Sequence, residues 1–525
     1  MDNFSSERKN GWDVNVLPRI EMTSFSSMFK DDYVYKGQRW SFAPSGHFEL
    51  PKTPGDKERV ANVVTQDEEP VTWDGAEDPE NPQNWGKPQR WLITISISLF
   101  AFISTLSSTI VEPALPDISH DLHITDSAVS QLIFSIFGLG YAFGPLLIAP
   151  LSELLGKTWV LQGANLVYLI FNTVSISATT SVHLVVCRFL AGLGGSASLT
   201  VGGAILGDMW RPEERGAAVA VFSLMPLAGP VVGPITGAVI TAQLSWHWIF
   251  LVTSGADVVV AFVGLFIIRE TSAVRLLAAK AKRIRPLTWA RSQSLSQSWQ
   301  KTFLTAISRP FRMLFTQPLA LVLGICQAYL YGLVYLTLST FSTVWRERYH
   351  QSTITASLNY LSLLLGSLLG TQVTVLLLDR FYRRLKERNG GVGKAEFRLP
   401  LILLGSLLAP FGLFLFGWSA QYTLNWILPN LGGLLFAFGN TMTYQAIQTF
   451  LIDEYVQFAA SALALSLLLR SLTGFLFPLF APQMFTALGV GWGNSVLGFV
   501  AVAIGIPMPV LLWRYSEKLR RPFLV

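Results

Sequence analysis

Four ionisable side chains lie inside or beside long apolar stretches of the sequence: Glu112, Arg188, Asp257 and Arg470. A charged side chain in hydrocarbon costs several kcal/mol, so it is expected to face an interior partner or water. In such positions Glu112 and Asp257 are candidate protonation sites. Each of the four also fits a structural role, as a solvated helix end, a buried hydrogen-bonded group or an interior ion pair. Proton exchange and structural pairing therefore both stay open.

A second set of polar side chains is spread over the later apolar stretches and combines aromatic rings with amides. Such a combination suits a cavity for a large, partly apolar ligand. Tyrosine also decorates membrane interfaces, and amides also bond helices together. The candidates for a substrate cavity are Gln327, Tyr331, Tyr335, Asn359, Asn440, Tyr444 and Gln448.

Enzyme and metal chemistry find little support in the residue types. Cys187 and Cys326 both fall in apolar stretches, where a small buried hydrophobe is the plain interpretation. The sequence has no His-Glu-x-x-His cluster and no convincing nucleophile motif. The run Gly156-Lys157-Thr158 lacks the earlier glycine of a phosphate-binding loop, because position 151 is leucine. We therefore expect no catalytic residue, no metal and no cofactor.

The elements that must position these residues are membrane helices. Hydrophobic residues make up 51% of the 525 residues and charged residues only 14%, whereas a soluble domain carries about 25% charged residues. Apolar runs long enough to cross a bilayer recur from residue 91, and their backbone polar groups must be satisfied within helices. The predicted spans are 91–111, 129–151, 159–179, 183–206, 217–240, 248–268, 318–344, 356–377, 399–418, 424–447, 459–485 and 494–513.

Basic residues are concentrated in particular loops of a chain with 39 Lys and Arg against 33 Asp and Glu. They cluster in the break at 269–317, after the eighth span and in the C-terminal tail, which indicates that these loops are cytosolic. Both termini are then cytosolic, and the number of spans is even. The basic central loop also has the charge to bind anionic lipid or nucleic acid. Because topology explains the charge, we expect no nucleic-acid partner.

The predicted organisation has five parts. Residues 1–90 are polar and rich in Pro, Gly and Ser, so we expect a disordered cytosolic tail. Two six-helix bundles, at 91–268 and 318–513, flank the basic cytosolic loop at 269–317. Residues 514–525 form a second cytosolic tail.

The two bundles share a pattern of small residues followed by an acid. Gly140, Gly144 and Glu153 recur 226 residues later as Gly366, Gly370 and Asp379. Small residues four apart allow helices to pack closely. The shared spacing indicates that the two bundles are internal repeats, an arrangement typical of secondary transporters.

The loop after the second span, with Leu151-Ser152-Glu153 and Gly156-Lys157, resembles the signature loop of the major facilitator superfamily. It departs from the family pattern at position 149, which is alanine in place of glycine, and at position 158, which is threonine in place of a basic residue. The resemblance implies two pseudo-symmetric six-helix bundles closed by a cytosolic latch of charged residues. The residues assigned to this latch are Glu153, Gly156, Lys157, Asp208, Arg215, Asp379, Arg380 and Asp453.

Further motifs extend the resemblance over about residues 73–521. Arg188 with Gly192 is similar to the family's Arg-x-x-x-Gly element, whose arginine is linked with proton coupling. The run 78–85, before the first span, resembles the same segment of fungal twelve-span drug:proton antiporters. The fifth span resembles the Gly-Pro-rich antiporter motif through Gly229, Pro230, Gly233, Pro234 and Gly237.

The resemblance implies proton-driven export of a small amphipathic organic compound across a fungal plasma membrane. The vacuolar membrane is the alternative location. The expected partners are the substrate, protons and the lipid bilayer, and the expected state is a monomer. Three alternatives remain, namely a proton-coupled uptake symporter for a nutrient or organic acid, a multipass membrane enzyme and a non-transporting receptor.

Overall fold

The computed structural model describes residues 33–35, 38–40, 72–75, 77–211, 214–284, 299–455 and 459–519. Within the predicted tail, β1 (Tyr33–Tyr35) pairs antiparallel with β2 (Gln38–Trp40). A 3-10 turn at Pro82–Asn84 precedes the first membrane helix. The other residues of the predicted tail before residue 72 lie outside the described residues.

The first half of the protein consists of the helices between residues 87 and 267. They are α1 (Lys87–Thr109), α2 (Leu115–Asp121), α3 (Ser127–Leu155), α4 (Lys157–Val174), α5 (Ser181–Gly195), α6 (Ala197–Met209), α7 (Arg215–Thr241) and α8 (His247–Ile267). Two 3-10 turns, Glu112–Ala114 and Ser175–Ser177, follow α1 and α4. The predicted fourth span is formed by α5 and α6, which meet at Ser196.

Two further helices lie within the predicted central loop. They are α9 (Ala273–Ile284) and α10 (Trp299–Thr316), and both are amphipathic and basic. The segment is too polar to be a membrane span, which is why its helices do not stand out in a search for long apolar runs. Lys280 of α9 and Met313 of α10 are nevertheless buried against the rest of the protein.

The second half mirrors the first in its number of membrane helices. It contains α11 (Pro318–Tyr349), α12 (Thr353–Leu358), α13 (Tyr360–Arg388), a 3-10 turn (Ala395–Arg398), α14 (Leu399–Gln421), α15 (Ile427–Glu454), α16 (Ala459–Gly505) and α17 (Pro507–Leu519).

Ten segments of the described residues are long and apolar enough to cross a membrane. The last one, Ser461–Ser516, is broken at Gly489, whose φ of 74° leaves helical geometry. The chain turns back there. The evidence is that a Cβ at Gly493 would lie 2.6 Å from the Phe485 ring, although the two residues are eight positions apart along the chain. This segment therefore supplies two helices, and the more polar α15 supplies another between α13 and α14. The described part of the chain thus has twelve membrane helices, as predicted.

Several serines and threonines of α1 donate their hydroxyl hydrogens to carbonyls within the helix, whereas Ser104 and Ser107 pair with tyrosines of other helices. Thr94 donates to the Arg90 carbonyl at 2.8 Å, and Ser98 donates to the Thr94 carbonyl at 2.6 Å. Such back-bonding to residue i−4 spares a buried hydroxyl the cost of an unmade hydrogen bond. A helix rich in hydroxyls can therefore run through the protein interior, where α1 is largely buried.

The glycines of the repeated pattern make the same contact in both halves. A Cβ at Gly144 would lie 2.8 Å from the Leu193 oxygen on α5, and a Cβ at Gly370 would lie 2.7 Å from the Phe438 oxygen on α15. In each half, the second membrane helix thus packs against the backbone of the fourth. This shared contact is what the 226-residue spacing predicts for two related halves.

The outer surface of the helices is apolar, as a lipid-facing surface requires. On α8, Val259, Phe262 and Phe266 are all more than half exposed. Between the halves, α3 packs against α16 and α7 packs against α13 and α12. The candidate site residues lie along this contact between the halves and inside each half.

Candidate functional site

Arg188 on α5 is buried and bonds only to backbone carbonyls. Its guanidinium donates to Ser107 at 2.8 Å, Ser108 at 3.1 Å, Ile133 at 3.1 Å and Phe134 at 3.4 Å. Ser107 and Ser108 belong to the last turn of α1, where carbonyls have no partner within the helix. No carboxylate among the described residues pairs with this arginine. Arg188 therefore caps α1 and ties it to α3.

The predicted antiporter motif forms the face of α7 that contacts α1. A Cβ at Gly229 would lie 2.8 Å from the Leu106 nitrogen, and one at Gly233 would lie 2.7 Å from the Leu106 oxygen. A Cβ at Gly237 would meet the Ile110 carbonyl group. Pro230 and Pro234 lie within the helix and remove backbone donors from it. The motif lets α7 contact the backbone of α1 just before Glu112.

Glu112 lies where the two halves meet, at the end of α1. The residue is 3% exposed, and its Oε1 accepts a hydrogen bond of 2.6 Å from Ser342 on α11. The second oxygen, Oε2, has no hydrogen-bond partner among the described residues. The nearby Tyr360 hydroxyl donates to the Leu338 carbonyl at 2.6 Å. Glu112 thus joins the halves through one of its two oxygens.

Asp257 on α8 is equally buried but lies wholly inside the first half. Its Oδ2 accepts a hydrogen bond of 2.9 Å from Asn165 on α4. Asn172 lies two turns further along α4. Its side-chain amide donates hydrogen bonds of 2.9 Å to the hydroxyls of Thr253 and Ser254 on α8. This network holds two helices of one half together, and nothing in it crosses to the second half.

Arg470 on α16 rests on tyrosine rings of the second half. Its guanidinium carbon lies 4.9 Å from the ring centre of Tyr331 and 5.2 Å from that of Tyr444, whose hydroxyl accepts a hydrogen bond from it. Gln448 donates to the same hydroxyl at 2.9 Å. The ring of Tyr335 lies 5.0 Å from that of Tyr331. These five predicted residues therefore form one cluster, which we call the tyrosine cluster.

The tyrosine cluster reaches the first half through Tyr335. Its hydroxyl lies 3.5 Å from Ser108, whose carbonyl accepts from Arg188. Its ring also lies 6.2 Å from that of Phe134. Arg188 and Arg470 are therefore connected through Ser108, Tyr335 and Tyr331 across the contact between the halves.

The remaining predicted cavity residues are not part of the tyrosine cluster. Gln327 accepts a hydrogen bond from Ser466, also in the second half. Asn359 bonds to Gln351 at 2.7 Å and to Asn430 at 2.8 Å, so it joins helices near the Glu112 end of the molecule. Asn440 on α15 keeps a buried amide oxygen without a partner among the described residues.

The predicted latch is centred on Lys157 at the other end of the helices, which we call the latch end. The Lys157 ammonium lies 2.6 Å from the Asp208 carboxylate, which also accepts from Thr271 at 2.9 Å. Glu270 accepts from the backbone N–H groups of Lys157, Thr158, Thr271 and Ser272. The φ of 94° at Gly156 brings the start of α4 toward Glu270. This acid caps α4, where a negative charge is stabilising.

The other predicted latch residues differ in their contacts. Asp453 lies 3.0 Å from Arg398, which is 3.9 Å from Asp379, so these form the counterpart in the second half. Arg215 donates to the Gly207 and Trp210 carbonyls and thereby caps the end of α6. Neither Glu153 nor Arg380 makes an ion pair or hydrogen bond within the part of the chain that the structure describes.

The segment before α1 is attached to α9 at the latch end. Lys280 is 2% exposed and lies 2.9 Å from both Asp78 and Asp74. The backbone N–H of Asp74 and the Lys280 ammonium lower the pKa of the Asp78 carboxyl to about 2. Arg283 also pairs with Glu80 at 2.9 Å. The run that resembles the fungal antiporters thus anchors an amphipathic helix of the central region.

Comparison with known proteins assigns the family. A profile of the Major Facilitator Superfamily matches residues 97–478. The chain belongs to the Major Facilitator Superfamily. It is 42% identical to the efflux pump vrtL of Penicillium aethiopicum, over 91% of this chain and 95% of the pump. It is 38% identical to the efflux pump radE of Floropilus chiversii, over 89% and 86% of the two chains.

Solved structures support the same fold. The partially occluded, inward-open xylose transporter XylE from E. coli matches with a TM-score of 0.62, over 82% of this chain and 98% of that one. The two sequences are only 15% identical, so the likeness concerns the fold alone. The family profile and the fungal relatives, together with this fold, show a multi-pass membrane transporter, and the predicted resemblance to fungal transporters is confirmed.

Several residues that complete the transporter's interior were missed in the sequence. Ser342 and Gln131 are neutral and carry no motif, yet Ser342 bonds to Glu112 and Gln131 lines the same cavity as Glu112. Glu270 is a lone acid in the basic segment 269–317, and nothing in the sequence around it indicates the backbone donors that it meets. Among the described residues, no group of three or more His, Cys, Asp or Glu is arranged to hold a metal ion.

Proposed function

We propose that this transporter exports a small amphipathic organic compound from a fungal cell in exchange for protons. The observation that carries the proposal is the hydrogen bond between Glu112 of the first half and Ser342 of the second. In alternating access the two halves rock against each other around the substrate site. A carboxyl group shared across that contact changes its partners whenever the halves move, and this links its proton to the transport cycle.

The other residues receive supporting roles in this proposal. Arg188 holds the end of α1 so that Glu112 stays at the contact between the halves. The tyrosine cluster offers aromatic faces and hydroxyls to an amphipathic substrate. Lys157 with Asp208, and Arg398 with Asp453, close the latch end, which we place in the cytosol with both chain termini. The transporter works as a monomer in the plasma membrane.

The efflux pumps among the relatives support export, since they match nearly the whole chain. The glycine face of α7 supports it as well, because the resembling motif is typical of exporters. An uptake symporter would share the fold and the buried carboxyl group. The direction of coupled flux therefore decides between the two.

The test measures transport in proteoliposomes with an imposed pH gradient and a panel of amphipathic compounds. We expect a compound to move against the proton flow. Glu112→Gln should lose this gradient-driven transport while still exchanging labelled for unlabelled compound, because the amide can accept from Ser342 but cannot carry a proton. Asp257→Asn is the matched control and should keep gradient-driven transport.

Two outcomes would contradict the proposal. Gradient-driven transport that persists in Glu112→Gln removes Glu112 as the proton carrier. Movement of compound and protons in the same direction supports the uptake symporter instead.

A further inference from the structure

A cavity of about 640 Å3 lies between the halves at the Glu112 end. Its wall combines the segment after α1 and the start of α3 with the end of α11 and the middle of α16. This volume is within the range of small-molecule sites. Apolar groups from both halves line it, among them Leu115, Val344 and Phe485. The cavity is therefore large enough and apolar enough for an organic compound.

Two buried oxygen atoms at this wall lack hydrogen-bond donors. Glu112 is 3% exposed and its Oε2 has no partner, while Gln131 is 8% exposed and its Oε1 has no partner among the described residues. The Ser342 hydroxyl donates to Glu112 Oε1, and the Tyr360 hydroxyl donates to the Leu338 carbonyl. A buried polar atom without a partner is costly, so these two oxygens lack donors that a ligand can supply.

Several hydroxyl groups on the cavity wall already donate their hydrogens within the protein. Ser339 and Thr340 both donate to the Leu336 carbonyl at 2.9 Å, and Thr486 donates to the Pro482 carbonyl at 2.7 Å. A hydroxyl whose hydrogen is used in this way keeps only its acceptor capacity. This part of the wall therefore offers acceptors on an apolar background.

Formal charge at the cavity is close to balanced. Arg346 and Arg348 are offset by Asp126 and Glu347, which leaves the carboxyl of Glu112 as the remaining charge. Because Arg346 and Arg348 repel a cation, a neutral hydroxyl donor suits this wall better than a protonated amine, the other source of hydrogen-bond donors.

We propose that this cavity binds compounds that carry several hydroxyl groups on an apolar frame, with hydroxyl hydrogens bonded to Glu112 and Gln131. The proposal rests on the proposed function, because it names the class of compound that the exporter carries. Compounds whose hydroxyls are capped as ethers keep the shape but lose the donors, and the site should reject them.

The test is equilibrium binding to the full-length protein in lipid nanodiscs, without a pH gradient. The probes are a trihydroxyanthraquinone and its trimethyl ether, with empty nanodiscs correcting for lipid partition. We expect the trihydroxy probe to bind about tenfold more tightly than the ether, as one or two donated hydrogen bonds would give. Gln131→Leu should weaken the trihydroxy probe by about tenfold and leave the ether unchanged. The control is Gln243→Leu, in an exposed turn after α7, which should change neither.

Three results would overturn the proposal. The first two are equal binding of the two probes and no binding of either probe. The third comes from a competition experiment, in which octamethylenediamine displaces the trihydroxy probe at a lower concentration than the unlabelled trihydroxy probe does. The last result would assign the site to amines. Because no gradient is used, a failure of proton coupling leaves this measurement unaffected, and loss of probe discrimination leaves the coupled-transport test unaffected.

Discussion

The two halves of the transporter each enclose an arginine, and they hold it in different ways. Arg188 of the first half gives its donors to four carbonyls. Arg470 of the second half lies over two tyrosine rings, and its Nε has no partner among the described residues. The same residue type thus completes a helix end in one half and supports an aromatic surface in the other. Substitution should separate these roles.

Arg188→Ala should have the largest effect, on stability as well as transport. It leaves the last carbonyls of α1 without donors in a buried place, so we expect the free energy of unfolding to fall by about 3 kcal/mol. Transport should be lost, because Glu112 follows directly after this helix end. Thermal unfolding in nanodiscs and flux in proteoliposomes measure the two effects.

Arg188→Lys is the matched variant. One ammonium has three donors on a single nitrogen and cannot reach four carbonyls as the planar guanidinium does. We expect it to recover only a minor part of the lost stability. If Arg188→Ala abolished flux while unfolding stayed unchanged, Arg188 would act on protons directly and the capping role would be wrong.

Arg470→Gln should affect transport much more than stability. The cation–π contacts that it removes are worth about 1 kcal/mol, and the Tyr444 hydroxyl that loses its hydrogen bond from Arg470 still accepts from Gln448, so the unfolding temperature should change little. Substrate affinity should fall, since the tyrosine cluster loses the charge that orders Tyr331 and Tyr444. Arg514→Gln is the control, because Arg514 lies 5.7 Å from the Tyr515 ring outside the site. A large drop in unfolding temperature with unchanged affinity would make Arg470 a structural residue like Arg188.

The membrane helices were predictable because a bilayer leaves the backbone few choices. The repeated glycines were predictable as well, since close helix packing needs small residues at a fixed spacing. The sequence predicts a loop at 269–317, where the structure has α9 and α10. The apolar residues of an amphipathic helix lie on one face and recur every three to four positions, so they form no long apolar run.

The hydrogen-bond partners of the site residues were harder to predict than the helices. Ser342 lies 230 positions from Glu112, and a neutral serine gives no sign that it will meet an acid. Glu270 finds its four backbone donors only once α4 and the central region are folded together. Types and spacing thus identified the charged residues, while their partners come from distant segments that only the tertiary structure brings together.

The smallest expected effect concerns ion pairs at the latch end, where the halves differ again. Asp78 is buried against Lys280, whereas Asp379 is 65% exposed and lies 3.9 Å from Arg398. Exposed pairs contribute little to stability. Asp78→Asn should therefore lower the unfolding temperature at neutral pH, and Asp379→Asn should leave it unchanged.

The pH dependence of unfolding sharpens this last difference. The pKa of Asp78 is lowered from 3.8 to about 2, so its contribution is fully present above pH 3.8 and is lost as the pH falls through about 2. Asp78→Asn removes this titration. The free energies of unfolding of the variant and of the unsubstituted protein should therefore differ above pH 3.8 and approach each other as the pH falls to about 2. A constant difference down to the lowest pH would mean that the Asp78 charge does not stabilise the attachment of α9.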